Sequence, residues 1–311
     1  MGVSSEISLV EEISLSILKE KNISLFIKRE DQLHPVISGN KFRKLKYNML
    51  KAKETGCKQL LTFGGAFSNH IIATAGAGKE YGMETVGVIR GNELGVDLEK
   101  TLAGNDTLRN AADFGMQFQF VTREEYRLKD TPEFLEKLKL QYPDAYILPE
   151  GGTNDLAIKG CEEILNFEDQ KFDVVCCAVG TGGTISGIIN SIGVHQKVLG
   201  FPALKGEFLS DDIKNNRVNN KNWELILDYH FGGYGKISKE LIDFINNFKE
   251  QTQIPLDPVY TGKMVYGVLD MIEKDYFSEN SKILIIHTGG LQGISGMNTV
   301  LNKKGLPLLN K

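Results

Sequence analysis

Asp173-Val174-Val175-Cys176-Cys177-Ala178-Val179-Gly180-Thr181-Gly182-Gly183-Thr184-Ile185-Ser186-Gly187 reads as three pieces in succession. Residues 173–179 form an apolar run of strand length, 180–184 a glycine-rich loop, and Ile185 begins a helical pattern. An unbroken apolar run belongs to a strand buried on both faces, and a strand that feeds a helix is the unit of a parallel sheet. Working outward, similar runs lie at 25–28, 59–63, 85–89, 118–121, 197–201 and 282–287, most of them separated by helix-length segments. The chain therefore reads as α/β, with open, mostly parallel twisted sheets and helices on both faces. In such folds ligands bind where loops leave the carboxyl ends of strands, so those loops are the candidate sites. The polar stretch 211–222 is expected to be a surface segment or flexible loop.

Composition narrows the partners. Of 311 residues, 41% are apolar and 24% charged, and the net charge is -4. Phosphate-backbone and anionic-membrane binding need clustered positive charge, so neither nucleic acid nor membrane is expected, and a small molecule is. Cys57, Cys161, Cys176 and Cys177 have no metal-ligand spacing, so we expect no metal and read them as reduced thiols in the cytoplasm. Glu6, Glu11 and Glu12 stand where a signal peptide would be basic and then apolar, and Glu6 also occupies the Ser/Thr position of a myristoylation signal.

Four loops carry candidate chemistry. After the run 25–28, Gly39-Asn40-Lys41-Phe42-Arg43-Lys44-Leu45 opens a helix, with Asn40 as the expected N-cap and Phe42, Leu45 and Met49 at helical spacing. Lys41 and Lys44 then lie one turn apart. The helix dipole and the cations Arg43 and Lys44 disfavour charge on Lys41, which favours a Schiff-base amine; a solvated basic helix start is the plainer alternative. After 59–63 come Ser68, Asn69 and His70 at a second helix start, fit to seat a carboxylate and to bond a ring hydroxyl, or simply to cap the helix. Gly180, Thr181, Gly182, Gly183 and Thr184 offer inward-turning N–H groups for a phosphate, or only a tight turn. Ile185 replaces the third glycine of a dinucleotide fingerprint, so a bare monophosphate fits better. Thr288, in His287-Thr288-Gly289-Gly290, can face a ring nitrogen. Tyr260 and Tyr234 can act as acid, base or substrate contact, or as packing. An amine, an anion cradle, a carboxylate seat and a ring-nitrogen partner together match pyridoxal phosphate and an amino acid.

With these residues the chain resembles the fold-type II pyridoxal-phosphate enzymes (tryptophan synthase β-like), and within them the family of D-cysteine desulfhydrases and 1-aminocyclopropane-1-carboxylate (ACC) deaminases. The resemblance spans nearly the whole chain. It runs in order through Lys28-Arg29-Glu30-Asp31, Gly39 to Leu45, Ser68-Asn69-His70, Pro149-Glu150-Gly151-Gly152, Val179 to Gly187, Tyr260-Thr261-Gly262-Lys263 and His287-Thr288-Gly289-Gly290. It implies a large cofactor-binding domain from 1–44 and 149–311, a small domain from 45–148, and a homodimer. It further implies that Lys41 holds the cofactor, that Lys44 and residues 180–184 bind its phosphate, that Asn69 meets its ring hydroxyl, and that Ser68, with Asn69, His70, Tyr260 and Thr261, contacts substrate.

In that family, deaminases carry Glu after the tyrosine and Leu in the final glycine loop, where this chain has Thr261 and Thr288. The resemblance therefore implies the desulfhydrase branch: α,β-elimination from D-cysteine or a related β-substituted D-amino acid, giving pyruvate, sulfide and ammonia. A neutral hydroxyl at the ring nitrogen deepens the electron sink less than a carboxylate would, and a good leaving group asks less of it. Lys41, Tyr260 and Tyr234 all remain candidates for the base. ACC deamination to 2-oxobutyrate and ammonia is the alternative, and a non-catalytic protein binding another phosphate ligand the second.

Overall fold

The computed structural model describes residues 7–205, 208–216 and 218–310. Glu6 and the start of the chain, read above for targeting signals, lie outside them. Among the described residues ten strands form two sheets. In the first, β1 (Val10–Ile13), β2 (Ser24–Lys28), β10 (Lys282–Ile286), β7 (Val174–Val179), β8 (Lys197–Pro202) and β9 (Trp223–Leu225) lie side by side in that order. β1 runs antiparallel to β2, and the other pairings are parallel. In the second, β5 (Met116–Val121), β4 (Glu84–Arg90), β3 (Gln59–Gly64) and β6 (Ala145–Ile147) are all parallel.

Burial on both faces explains the unbroken apolar runs. Leu25, Ile27, Cys176, Leu199, Ile283 and Ile285 pack in one core with Ile245, Met264 and Val268 from the helices Lys239–Thr252 and Thr261–Glu273. Their sequence neighbours Val175, Cys177, Val198, Leu284 and Ile286 point the other way, onto Ile185, Ile188 and Ile189 of the helix Gly183–Ser191. Alternate residues of one strand thus feed opposite cores, and each fully buried Leu or Ile contributes roughly 1.5–3 kcal/mol. The second sheet repeats the scheme, with Leu60 facing Ala73 and Ala77 while Leu61 and Phe63 face Tyr126 and Leu138.

Two expectations are corrected. The segment 211–222 is not all loop: Phe208–Asn215 is helical, because Leu209 and Ile213, one turn apart, are buried against Ile185 and Ile189. β1, β6 and β9 escaped the apolar pattern, being three or four residues long at sheet edges. All four cysteines are free thiols. Among the described residues no helix is long and apolar enough to cross a membrane, and no three His, Cys, Asp or Glu gather as a metal group.

Candidate active site

The exits of β2, β3, β7 and β10 converge on one pocket. Lys41, Lys44, Ser68, Asn69, His70, Gly180, Thr181, Gly182, Thr184, Tyr234, Tyr260 and Thr288 all line it. Gly183, the first residue of its helix, is not among the lining residues. Thr261 does not line the pocket.

Lys41 is the second residue of the helix Asn40–Glu54. The cap is Gly39, not Asn40, because the chain must pass hard against the last loop: a Cβ on Gly39 would lie 2.0 Å from the Thr288 carbonyl oxygen, and its φ is +63°. Asn40 instead donates from Nδ2 to Thr184 Oγ1 at 2.8 Å, tying the lysine helix to the glycine loop. The Lys41 amine is drawn down to about 7, first by burial and then by the Lys44 ammonium, with Cys161 and Asp257 pulling weakly the other way. Arg43 plays no part in this, contrary to expectation. Its guanidinium is paired with Glu30, Nε to Oε2 and Nη2 to Oε1 both at 2.9 Å.

Lys44 donates to the Gly151 carbonyl and to Thr153 Oγ1, each at 2.9 Å, and reaches Thr181 Oγ1 at 3.4 Å. Its own affinity for a proton is lowered by burial. The helix Gly183–Ser191 beside it has Gly182 as N-cap and no side chain bonded to its first amides, so dipole and N–H groups face the pocket uncapped. Lysine, threonines and helix start form one anion cradle. Residues 151 and 153 were not assigned roles from the sequence, and the two glycines after Pro149-Glu150 were their only signal.

Ser68 caps the helix Asn69–Tyr81, accepting from the His70 amide at 3.3 Å, while also lining the pocket. Asn69 Oδ1 is buried with no protein partner, as is His70 Nδ1. Burial, then Lys41 and Lys44, hold His70 well below its usual pKa, so it is neutral. Thr62 Oγ1 gives its one proton to the Leu148 carbonyl, so His70 Nε2 must donate to Thr62 at 2.8 Å, leaving Nδ1 a bare acceptor. Two unpaired buried acceptors beside one pocket mark a place built for donors that come from outside the chain.

Tyr260 lies against Gly180, where a Cβ would meet its ring at 3.1 Å, and Tyr234 stands edge-on to it, ring centroids 6.1 Å apart. Burial raises both phenols, Tyr260 well above its ordinary value. Thr261 is the correction. It is 0% exposed; its hydroxyl accepts from the Asp257 amide at 2.9 Å and donates to Asp257 Oδ1 at 2.8 Å. The same carboxylate takes the amides of Val259, Tyr260 and Thr261, so Thr261 locks the helix start and is not a substrate contact. Asp257, four residues upstream, was missed; a carboxylate just before a helical pattern was the available signal. We expect Thr261→Val to cost about 1–3 kcal/mol in thermal unfolding, by stranding these partners, and Thr261→Ser to be near neutral.

The family described as pyridoxal-phosphate dependent enzyme matches residues 8–289. The chain is 33% identical over 301 residues to a putative ACC deaminase of Pyrococcus abyssi, covering 89% of this chain and 88% of that protein. It is 33% identical to a bifunctional D-cysteine desulfhydrase/ACC deaminase, mitochondrial, of Arabidopsis thaliana, covering 87% and 73%. A crystal structure of an ACC deaminase homologue superposes with a TM-score of 0.81 at 30% identity, covering 96% and 94%. The pocket fits the cofactor these names imply. An amine drawn down to about 7 can be neutral in neutral solution, an uncapped helix start beside a lysine can hold a phosphate, and the orphan Asn69 Oδ1 can accept from a ring hydroxyl. The chain belongs to the pyridoxal-phosphate dependent enzymes of fold type II, in the group that holds the ACC deaminases and D-cysteine desulfhydrases.

Proposed function

We propose that this chain is a carbon-sulfur lyase acting on D-cysteine or a related β-substituted D-amino acid, releasing pyruvate, sulfide and ammonia. The observation that carries the reading is the make-up of the pocket wall: hydroxyls, amides and lysines, with no carboxylate among its lining residues. Thr288 offers the pocket a hydroxyl that bonds no side chain or backbone group among the described residues, and the Asp257 carboxylate is committed to the Thr261 lock. A site without an acid at the cofactor ring supports loss of a good leaving group better than opening of a carbon ring.

In this reading Lys41 holds the cofactor covalently, Lys44 and residues 180–184 hold its phosphate, Asn69 its ring hydroxyl and Thr288 its ring nitrogen. Bound pyridoxal phosphate supplies the electron sink that acidifies the substrate's Cα–H bond. The chain does the rest. Ser68 and the helix start behind it seat the substrate carboxylate, with His70 Nδ1 accepting from the substrate side. Once the substrate's amino group has displaced it, Lys41 Nζ takes the Cα proton, and the Cβ–S bond breaks with its electron pair leaving on sulfur. Tyr260 and Tyr234, both protonated at neutral pH and both in the pocket wall, supply the donor to that sulfur in this reading. The unsaturated product hydrolyses in water to pyruvate and ammonia.

The division into 1–44 with 149–311 and 45–148 belongs to the same proposal, supported by sheet membership: β3 to β6 all fall within 59–147. The cytoplasmic homodimer rests on cysteine usage and on the resemblance, and sedimentation tests its dimeric part. ACC deamination is the second reading, favoured by the names of relatives, while a cofactor-free binding role loses ground to the matched family. A panel of D- and L-cysteine, D-serine, β-chloro-D-alanine and ACC, scored by keto acid, tests the proposal; 2-oxobutyrate from ACC outpacing pyruvate from D-cysteine would sink it. Because the Lys41 amine titrates near 7, attachment of pyridoxal phosphate to apoprotein should quicken about tenfold per pH unit below pH 7 and level off above it, followed by absorbance. A midpoint near 10 would remove the neutral amine from the argument.

A further inference from the structure

Lys263 is a buried cation that the proposed mechanism does not use. It lies in the first turn of the helix Thr261–Glu273 with a relative exposure of 2%. Among the described residues no carboxylate lies within ion-pair distance of its ammonium. Instead Nζ donates to two backbone carbonyls, His230 and Gly233, each at 2.9 Å. Burying an ammonium against carbonyls alone is costly, and burial holds its proton affinity down, to about 8.

The two carbonyls stand at the two ends of the turn 230–233, which leads directly into Tyr234. Phe231, Gly232, Gly233 and Gly235 have φ of 52°, 90°, 113° and 65°. Left-handed backbone at four of five consecutive positions is reached readily by glycine, but glycine is equally free to leave it, so the segment does not fix its own shape. Its local bonds are few: the Gly233 amide to the His230 carbonyl, the Gly232 amide to His230 Nδ1, and the Lys236 amide to the Gly233 carbonyl. The Tyr234 side chain is 50% exposed yet lines the pocket beside Tyr260. Its partner there is the Tyr260 ring and hydroxyl, and the course of the segment sets whether the two phenols meet.

We propose that Lys263 is a positioning residue that fixes Tyr234 over the pocket by clamping the carbonyls at both ends of the turn 230–233 that leads into it. One helical turn then aligns both phenols, carrying Tyr260 at its start through the Asp257 lock and holding Tyr234 through Lys263. The inference rests on the reading of the pocket as a lyase site, but its physical part does not depend on the substrate.

The test has two arms. In hydrogen exchange on the apoprotein, K263M, which keeps the stem and deletes the donors, should speed exchange of the Gly232, Gly233 and Lys236 amides about tenfold or more, with β7 and β10 unchanged. In turnover by the holoenzyme, on whichever amino acid of the panel the wild type consumes, K263M should lower kcat roughly 10- to 100-fold, leaving pyridoxal phosphate affinity intact. Y234F then decides the route. If Lys263 acts through Tyr234, the double variant K263M/Y234F should be little slower than Y234F alone, whereas a general structural role would make the losses multiply. K263Q, which can still donate to one carbonyl, should recover part of the rate, and it replaces K263M in both arms if K263M does not fold. Unchanged exchange in 232–236, or multiplicative losses, overturns the proposal. A wild type inert on the whole panel overturns the lyase reading instead and leaves the exchange arm to decide this one.

Discussion

Lys41→Ala is expected to abolish turnover, a fall of at least about 10⁴-fold, because it removes both the covalent anchor and a candidate base, and proton transfer alone commonly contributes about 10²–10⁴-fold. Borohydride treatment of wild type loaded with pyridoxal phosphate should fix the label to Lys41, and in the variant no label should survive. Residual turnover within tenfold of wild type, or a label at another lysine, would sink the assignment. The fold should not suffer. Among the described residues Lys41 Nζ makes one long hydrogen bond, 3.3 Å to Asn40 Oδ1, and it is held close to a second ammonium. A lysine whose folded pKa is depressed from 10.5 to about 7 costs stability while charged: the cost is full below pH 7 and fades as pH rises towards 10.5. Apoprotein carrying Lys41→Ala should therefore melt higher than wild-type apoprotein below pH 7, by an amount on the order of a few kcal/mol, with the gap closing towards pH 10. A variant that melts lower throughout would show that the lysine contributes packing and is not a strained functional group.

How far the sequence reaches is seen by following Lys41 outward. The apolar runs at β2, β3, β7 and β10 were legible because a strand buried on both faces has no polar residue to break it, and the glycine and threonine loops at their exits followed by position. That placed ten pocket residues in advance, while Tyr234 and Tyr260 were singled out as aromatics in glycine-bearing loops. What was hidden is the identity of partners distant in sequence. Asn40 meets Thr184 across 144 positions and Lys44 meets Gly151 across 107, and nothing local marks either pairing. Types alone misled in two places. Arg43 looked like a cation bearing on Lys41 because its counter-charge, Glu30, sits in another element. Thr261 looked like a substrate contact because its hydroxyl could equally have faced the pocket, and only the backbone course from Asp257 turns it inward. Lys263 shows the limit from the other side: its motif was recognisable, but a lysine's partners here are carbonyls, which every residue possesses.

Glu30→Ala is expected to be the most destabilising single change among those that leave the pocket wall intact. Glu30 is 0% exposed and accepts from Ser8 Oγ at 2.6 Å as well as from two nitrogens of Arg43 at 2.9 Å. Arg43 is itself buried, in the same helix as Lys41. Removing the carboxylate leaves a desolvated guanidinium without its main counter-charge, a loss of about 3–5 kcal/mol. Against a typical total of about 5–15 kcal/mol, that lowers the melting temperature on the order of 10 °C. Since Arg43 lies two residues from Lys41, the helix start should also loosen, and cofactor affinity should fall along with stability. The pair is not itself the source of the stability, because burying two charges costs nearly as much as their attraction returns. Replacing both, Glu30→Leu with Arg43→Met, should therefore melt above Glu30→Ala alone. Thermal unfolding of the three proteins decides the point: a double variant less stable than the single one would mean that the ion pair is net stabilising and that Glu30 holds Lys41 in place by attraction, not by neutralising Arg43.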